Sequence, residues 1–296
     1  MRILITGASG LLGSKLSTIA LASGHDVQAP AHEHATSDAN LLMMDITDQA
    51  AVEKTIAGNA PDVVIHAASI TDLELCERNP ELAYRVNAAA TGFLANACRK
   101  QGSFLIYVST DYVFDGERGN YREADTVNPL NIYGKSKLLG ETEVVQKAAG
   151  NYCIARTSVV FGWGRKYRPN FATWVCDKLR IGEKISVVAD QYATPTISNN
   201  LARMLLEVAE RRINGVYHLS GSTRINRYDF AVLLARRLSL NENLLTPTKA
   251  EAVGWIARRP FDSSLNVAKA QNDLHNKPNS LNEALDEFAA ETHAGM

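Results

Sequence analysis

The chain has 296 residues, 46% of them hydrophobic, and its 31 lysines and arginines are matched by 32 aspartates and glutamates. That length and apolar share suit one large or two moderate α/β domains, and a net charge of -1 offers no basic face to nucleic acid or to an acidic membrane surface. No apolar run is long enough to span a bilayer.

Residues 2–6 form a short apolar run suited to a buried parallel strand, and Met1 leads straight into it, so no signal peptide is expected. Gly7, Gly10 and Gly13 follow in a GxxGxxG spacing. Gly7 lets the chain turn after the strand, Gly10 lets backbone N–H groups approach a pyrophosphate, and Gly13 lets a helix pack close. That helix presents its positive N-terminus to phosphate, with Leu11, Leu12 and Leu16 on an apolar face. Second and third strands are expected at residues 25–29 and 40–45, and a helix over 48–58 with Asp48 as a possible N-cap. A fourth strand at 62–66 runs into the small residues Ala67, Ala68 and Ser69. Helical periodicity covers 80–100, and a fifth strand at 104–108 delivers Ser109 and Thr110 at its end. A helix over 133–148 and a sixth strand over 152–157 complete the alternation. Later helices are expected at 170–180, 198–211, 228–238 and 281–290, with a returning strand at 215–221.

Such βαβ alternation predicts an α/β fold with a doubly wound parallel sheet (Rossmann type) and a smaller C-terminal substrate-binding lobe. Residues 1–163 with returning segments within 193–221 form the dinucleotide-binding domain on this reading, and 164–192 with 222–296 the lobe. Gly7, Asp45, Ala67, Thr110 and Thr157 all fall at carboxyl ends of strands, where such sheets bind ligands. The four cysteines (Cys76, Cys98, Cys153, Cys176) contain no CxxC pair, which suits reduced thiols in a cytoplasm, and the seven histidines lack metal-ligand spacing.

The chemistry rests on Thr110, Tyr133 and Lys137. A tyrosine and a lysine at i and i+4 share a helix face, and an ammonium beside a phenol lowers the phenol's pKa. Such a tyrosine can protonate a carbonyl oxygen as hydride reaches the carbonyl carbon. The second strand ends Gln28-Ala29-Pro30 with no carboxylate for a ribose 2′-hydroxyl, which favours NADP(H) and leaves NAD(H) possible. Lys15, His32 and His34 are candidates for the extra phosphate.

Segments 5–10, 86–87, 109–116, 129–137, 156–158, 190–196 and 258–260 together resemble the extended short-chain dehydrogenase/reductases, and within them the dTDP-4-dehydrorhamnose reductases. The resemblance implies NADPH-dependent reduction of the 4-keto group of a nucleotide-linked deoxysugar. Tyr133 is then the proton donor, Lys137 lowers its pKa and holds the nicotinamide ribose, and Thr110 bonds the carbonyl oxygen. It further implies a cofactor site of Gly7, Ser9, Gly10, Leu11, Leu12, Asp45, Ile46, Ala67, Ala68, Ser69, Asn87, Tyr133 and Lys137. Thr71, Thr110, Asp111, Tyr133 and Arg259 are implied as substrate contacts, Arg259 through a fork onto the pyrophosphate.

Several residues keep a second reading. Asp45 suits a strand-end turn, Asn87 a buried polar group, Arg259 a solvated charge, and His66 a satisfied strand-end histidine. Tyr112 and Phe114 read as core aromatics, while Trp163, Trp174 and Trp255 fit either a sugar pocket or the core. Two departures from the family pattern stand out. Val159 occupies a position where those reductases carry an aromatic, and residues 197–200 lack the glutamate some of them use in a metal-linked dimer, so no metal is expected and a homodimer stays possible. Asp111 keeps a nucleotide-sugar epimerase or dehydratase open. The motifs also resemble the regulatory β subunit of methionine adenosyltransferase, an NADP-binding partner protein.

Overall fold

The fold was analysed in a computed structural model that describes residues 1–29, 44–164 and 169–294. Strands β1 (Arg2–Thr6), β2 (Asp26–Gln28), β3 (Val63–His66), β4 (Phe104–Thr110) and β5 (Tyr152–Thr157) join a last strand, Gly215–His218, in one six-stranded sheet. The order is last strand, β5, β4, β3, β1, β2, and every pairing is parallel. Strand order reverses between β1 and β3, which places a ligand crevice beyond their carboxyl ends. The expected alternation and sheet are found. The strand expected at 40–45 lies outside the described residues except for Met44 and Asp45, which are not in a strand.

Side-chain alternation along the strands builds two apolar layers. Ile3, Ile5, Val63, Ile65, Phe104 and Ile106 face α1 (Leu11–Ala22) and the helix Ser198–Arg211. Leu4, Val64, Leu105 and Ile154 face the other way. On that side lie α2 (Gln49–Asn59), and, after the short helices α3 (Leu73–Arg78) and α4 (Pro80–Tyr84), the longer α5 (Ala90–Gln101) and α6 (Ile132–Lys147). Asp48 caps α2 by accepting from Ala50 and Ala51 N–H, as its place in the sequence suggests. A further apolar core lies outside these layers, around Phe161, Val175, Phe230, Leu234 and Phe288. It gathers the helices Phe171–Arg180, Arg227–Arg237 and Leu281–Ala294 and the parallel strand pair Ile185–Val188 with Leu245–Thr248. That strand pair and α3 were not anticipated.

The helix expected over 80–100 is interrupted. α4 ends at Tyr84, residues Arg85–Ala89 form a π turn, and α5 resumes at Ala90. The wider turn carries Asn87 and presses its backbone against α6. A Cβ on Gly140 would stand 2.5 Å from the Asn87 carbonyl oxygen and 2.3 Å from the Tyr107 hydroxyl. Only glycine lets α6 lie this close. Gly140→Ala should therefore cost about 1–3 kcal/mol, the range for overpacking a tight core. Its urea midpoint should fall accordingly, and an unchanged midpoint would show that the contact can relax freely.

Candidate active site

β1 ends at Thr6 and the chain turns at Gly7, whose φ of +73° is left-handed. A Cβ on Gly7 would lie 2.7 Å from the Ala68 nitrogen, and one on Gly13 would lie 2.2 Å from the Gly7 oxygen. A Cβ on Gly10 would meet only that Gly7 oxygen, at 3.2 Å. The turn is thus closed toward β3 and α1 and open beside Gly10. α1 starts after Gly10 with no side-chain cap, so its first N–H groups have no acceptor within the helix. With Ser9, Leu11 and Leu12 in the same turn and Ala67, Ala68 and Ser69 across the crevice, these residues fit a dinucleotide pyrophosphate. Ala67 and Ala68 are tied there by bonds from their N–H groups to the Thr6 carbonyl, 3.2 Å, and hydroxyl, 3.4 Å.

Asp45 accepts from the N–H and hydroxyl of Thr47, both at 2.8 Å, the turn its second reading described, while Ile46 packs on the core. Lys15 is paired with Glu291 at 2.8 Å, and His32 and His34 lie outside the described residues. His66 is buried between Thr6, 2.7 Å from Nδ1, and Thr91, 3.1 Å from Nε2. Burial pulls its pKa to about 3, so it is neutral and structural.

Thr110 ends β4, and Tyr133 and Lys137 stand one turn apart on α6, which Asn131 caps by accepting from Gly134 N–H at 2.8 Å. The Thr110 hydroxyl lies near enough to the Tyr133 phenol to act on it, and itself donates to Asp111 Oδ1 at 3.0 Å. The structure corrects one expectation here. Burial first of all raises the Tyr133 pKa, the nearby Thr110 hydroxyl opposes it, and Lys137 is not among the causes. Lys137 Nζ instead donates to the Val108 carbonyl at 2.7 Å and lies 4.1 Å above the Tyr107 ring. Desolvation draws its own pKa down to about 7, with Glu141 pulling the other way. The low-dielectric setting, which favours neutral forms, outweighs the lysine's field and keeps the phenol loaded with its proton.

Asn87 is buried and fully used. Its Oδ1 accepts from Ser69 Oγ at 3.0 Å and Ile70 N–H at 2.9 Å, and its Nδ2 donates to the Ile70 carbonyl and to Ser136 Oγ, both at 3.0 Å. It therefore ties the loop after β3 to the middle of α6. Thr71 is exposed in that loop.

Asp111, expected at the substrate, is enclosed among hydroxyls. It is buried, and its carboxylate accepts hydroxyls from Thr110 at 3.0 Å, Ser158 at 2.8 Å and Ser263. Arg259 faces a cavity of about 160 Å³ shared with Gln191, Trp255 and Phe261. It stacks 3.6 Å over Trp255, reaches Glu74 only at 3.4 Å, and has a buried Nε with no partner. It is therefore not a solvated surface charge. A smaller adjoining cavity is lined by Tyr112, Val159, Gln191, Tyr192 and Arg227. Tyr112 meets the Tyr133 ring edge-on at 6.0 Å, so it belongs to the site, whereas Phe114 is core, stacked on Tyr121. Trp163 is committed to packing on Phe288 and Trp174 to the same core.

Arg227 and Gln191, which line these cavities, were not among the expected residues. Gln191 stood inside the 190–196 segment that carried the resemblance, so a signal existed. Arg227 gave none, being one arginine among many until folding set it near Arg259. Val159 sits at φ +41°, an outlier for a β-branched residue and a strain that tends to mark functional sites. Among the described residues no group of three His, Cys, Asp or Glu side chains converges as a metal site would require. The Glu287 carboxylate is forked by Arg203, and Asn199 donates to both Glu287 and Glu291.

The model for the RmlD substrate binding domain matches residues 1–294. The chain belongs to this family. A dTDP-4-dehydrorhamnose reductase of Aggregatibacter actinomycetemcomitans is 33% identical, over 98% of both chains. The methionine adenosyltransferase 2 subunit beta of Xenopus laevis is 34% identical, over 91% of this chain and 81% of its own. Among solved structures, the Bacillus anthracis dTDP-4-dehydrorhamnose reductase in complex with NADP superposes with a TM-score of 0.89 at 32% identity, covering 98% of this chain and 99% of that one.

The Lys137 position sets a pH dependence. A lysine with a pKa near 7 is charged below that pH and loses its charge above it. If the ammonium is the form that serves the site, kcat/KM, which reports the free enzyme, should fall as pH rises through about 7. In Lys137→Arg, whose side chain stays charged, any remaining activity should lack that alkaline limb. A wild-type profile that stays level to pH 9 would remove this role for the ammonium.

Proposed function

We propose that this chain catalyses the NADPH-dependent reduction of the 4-keto group of a nucleotide-linked deoxysugar. The observation that carries the reading is the placing of Tyr133 on α6 beside Thr110 at the carboxyl end of β4, with Tyr112 edge-on to the Tyr133 ring and lining one cavity with Arg227. The dinucleotide, when bound in the turn, supplies a hydride to the keto carbon. Tyr133 donates its phenolic proton to the keto oxygen, so the product is an alcohol and the tyrosine is left as a phenolate to be reprotonated. Thr110 orients the phenol and the keto oxygen toward each other. Lys137 would hold the nicotinamide ribose, and Asn87 keeps α6 in register with the loop after β3. Asp45 with Ile46 would meet the adenine. The absence of a carboxylate after β2 supports NADPH over NADH. Arg227 and Arg259 would take the substrate diphosphate through their planar forks, and the second apolar core would carry that half of the site as a substrate lobe.

No helix among the described residues is long and apolar enough to cross a membrane. Action in the cytoplasm and assembly as a homodimer belong to the same reading. Fractionation of cells and sedimentation of the purified protein test these two points.

Purified protein should consume NADPH one-for-one with a gain of two hydrogens on a dTDP-, GDP-, UDP- or CDP-linked 4-keto sugar, read by mass spectrometry. Turnover without net NADPH loss would indicate an epimerase, and inert kinetics with a stably captured methionine adenosyltransferase would indicate a regulatory subunit. Tyr133→Phe should lower kcat by roughly 10²- to 10⁴-fold, the usual range for one acid catalyst, with NADPH affinity nearly unchanged. Full activity in that variant would rule the phenol out as the acid. Arg227→Ala should raise KM for the nucleotide sugar about tenfold, the loss of a charge-assisted contact, while kcat stays within a small factor. An unaltered KM would remove Arg227 from the diphosphate site.

A further inference from the structure

Three segments distant in sequence meet on the buried carboxylate of Asp111. Thr110, its neighbour at the end of β4, donates to Oδ1 at 3.0 Å. Ser158 donates to Oδ2 at 2.8 Å from the turn after β5, where the left-handed Val159 follows it. Ser263 donates to the same oxygen from the segment that also carries Arg259. Asp111 is only 3% exposed, so these hydroxyls satisfy it in place of water.

The Ser263 segment is held along its length. The Arg258 carbonyl accepts from Asn131, the residue that caps α6, at 2.8 Å. Glu74 accepts from the N–H groups of Ile256, 2.9 Å, and Ala257, 3.4 Å, and from Arg259. Ser263 N–H donates to the Tyr192 carbonyl at 3.0 Å, and the Pro260 side chain lies so close to Gly116 that a Cβ there would stand 2.2 Å from it. Arg259 therefore sits between two joints, Asn131 on the catalytic helix and Ser263 on Asp111. A shift of the segment reaches the catalytic threonine through two hydrogen bonds.

We propose that Asp111 is a positioning residue that couples the seating of the Arg259 segment to the orientation of the Thr110 hydroxyl. This rests on the reductase reading given above and adds what that reading lacks, a path from the diphosphate end of the substrate to the proton-transfer end. With substrate phosphate drawing Arg259 into the cavity, Ser263 holds Oδ2, Oδ1 holds the Thr110 hydroxyl, and Thr110 keeps the Tyr133 phenol in line. Ser158 supplies the fixed point against which the carboxylate is held. The same enclosure makes Asp111 unsuited to act as the free acid a dehydratase would need.

The test uses the full chain as Ser263→Ala and Ser263→Thr. Loss of one hydrogen bond to a charged group predicts that Ser263→Ala lowers kcat about tenfold. Its affinities for NADPH and for dTDP should stay within about twofold, since neither contact is removed. Ser263→Thr keeps the hydroxyl and should recover most of the rate. A second readout does not depend on turnover: dTDP at saturation should slow amide hydrogen exchange across residues 108–113 in the wild type and fail to do so in Ser263→Ala. Equal kcat in Ser263→Ala, equal protection in both proteins, or a loss confined to dTDP affinity would each overturn the coupling. A wild type that binds dTDP and shows the protection but reduces no nucleotide-linked keto sugar would instead count against the reductase reading alone.

Discussion

α6 carries two ionisable side chains into the protein interior, and the placement of the proposed acid depends on how each finds a partner. Lys137 lies against the Val108 carbonyl and the Tyr107 ring, and Glu141, one turn further along, is gripped by the two-pronged Arg156 guanidinium and by Ser109. The partners belong to β4 and β5, which are adjacent in the sheet. A buried charge left without its partner is strongly destabilising. Rotating or sliding α6 would strand both at once, so the helix has one register. Tyr133, a turn before Lys137 on the same face, then reaches the end of β4 beside Thr110.

The π turn performs a related task for the opposite wall of the crevice. Its extra residue brings the Asn87 side chain within reach of both the loop after β3 and Ser136, between Tyr133 and Lys137 on α6. The Asn87 carbonyl accepts from Tyr107 and from Thr91, and Thr91 meets the neutral His66 imidazole, which meets Thr6 just before the glycine turn. A continuous run of paired polar groups thus joins the glycine turn to α6. Each member is satisfied, so the run adds rigidity without the cost of an orphaned buried group.

Burial decides the acid–base character of this site more than proximity of charge does. A phenol with a raised pKa holds its proton at neutral pH, and a lysine with a lowered pKa is poised between charged and neutral forms near pH 7. Both shifts follow from the removal of water, which penalises the charged form of either group. Similarity both to dTDP-4-dehydrorhamnose reductases and to methionine adenosyltransferase 2 subunit beta leaves the distinction to such details, because fold alone does not carry function.

The sequence by itself determined the parallel sheet, the glycine turn, and the identities of Thr110, Tyr133 and Lys137. Each of these is written locally: in two-residue and helical periods, in glycines that backbone contact demands, and in a tyrosine–lysine spacing that any helix places on one face. Tertiary structure alone decided the rest. The break in the helix over 80–100, the turning of Lys137 toward Val108, the enclosure of Asp111 by Ser158 and Ser263, and the approach of Arg227 to Arg259 all depend on how the folded chain packs. No local period encodes such meetings. They follow from how the second apolar core packs on the sheet and from which buried polar groups can satisfy one another once it has.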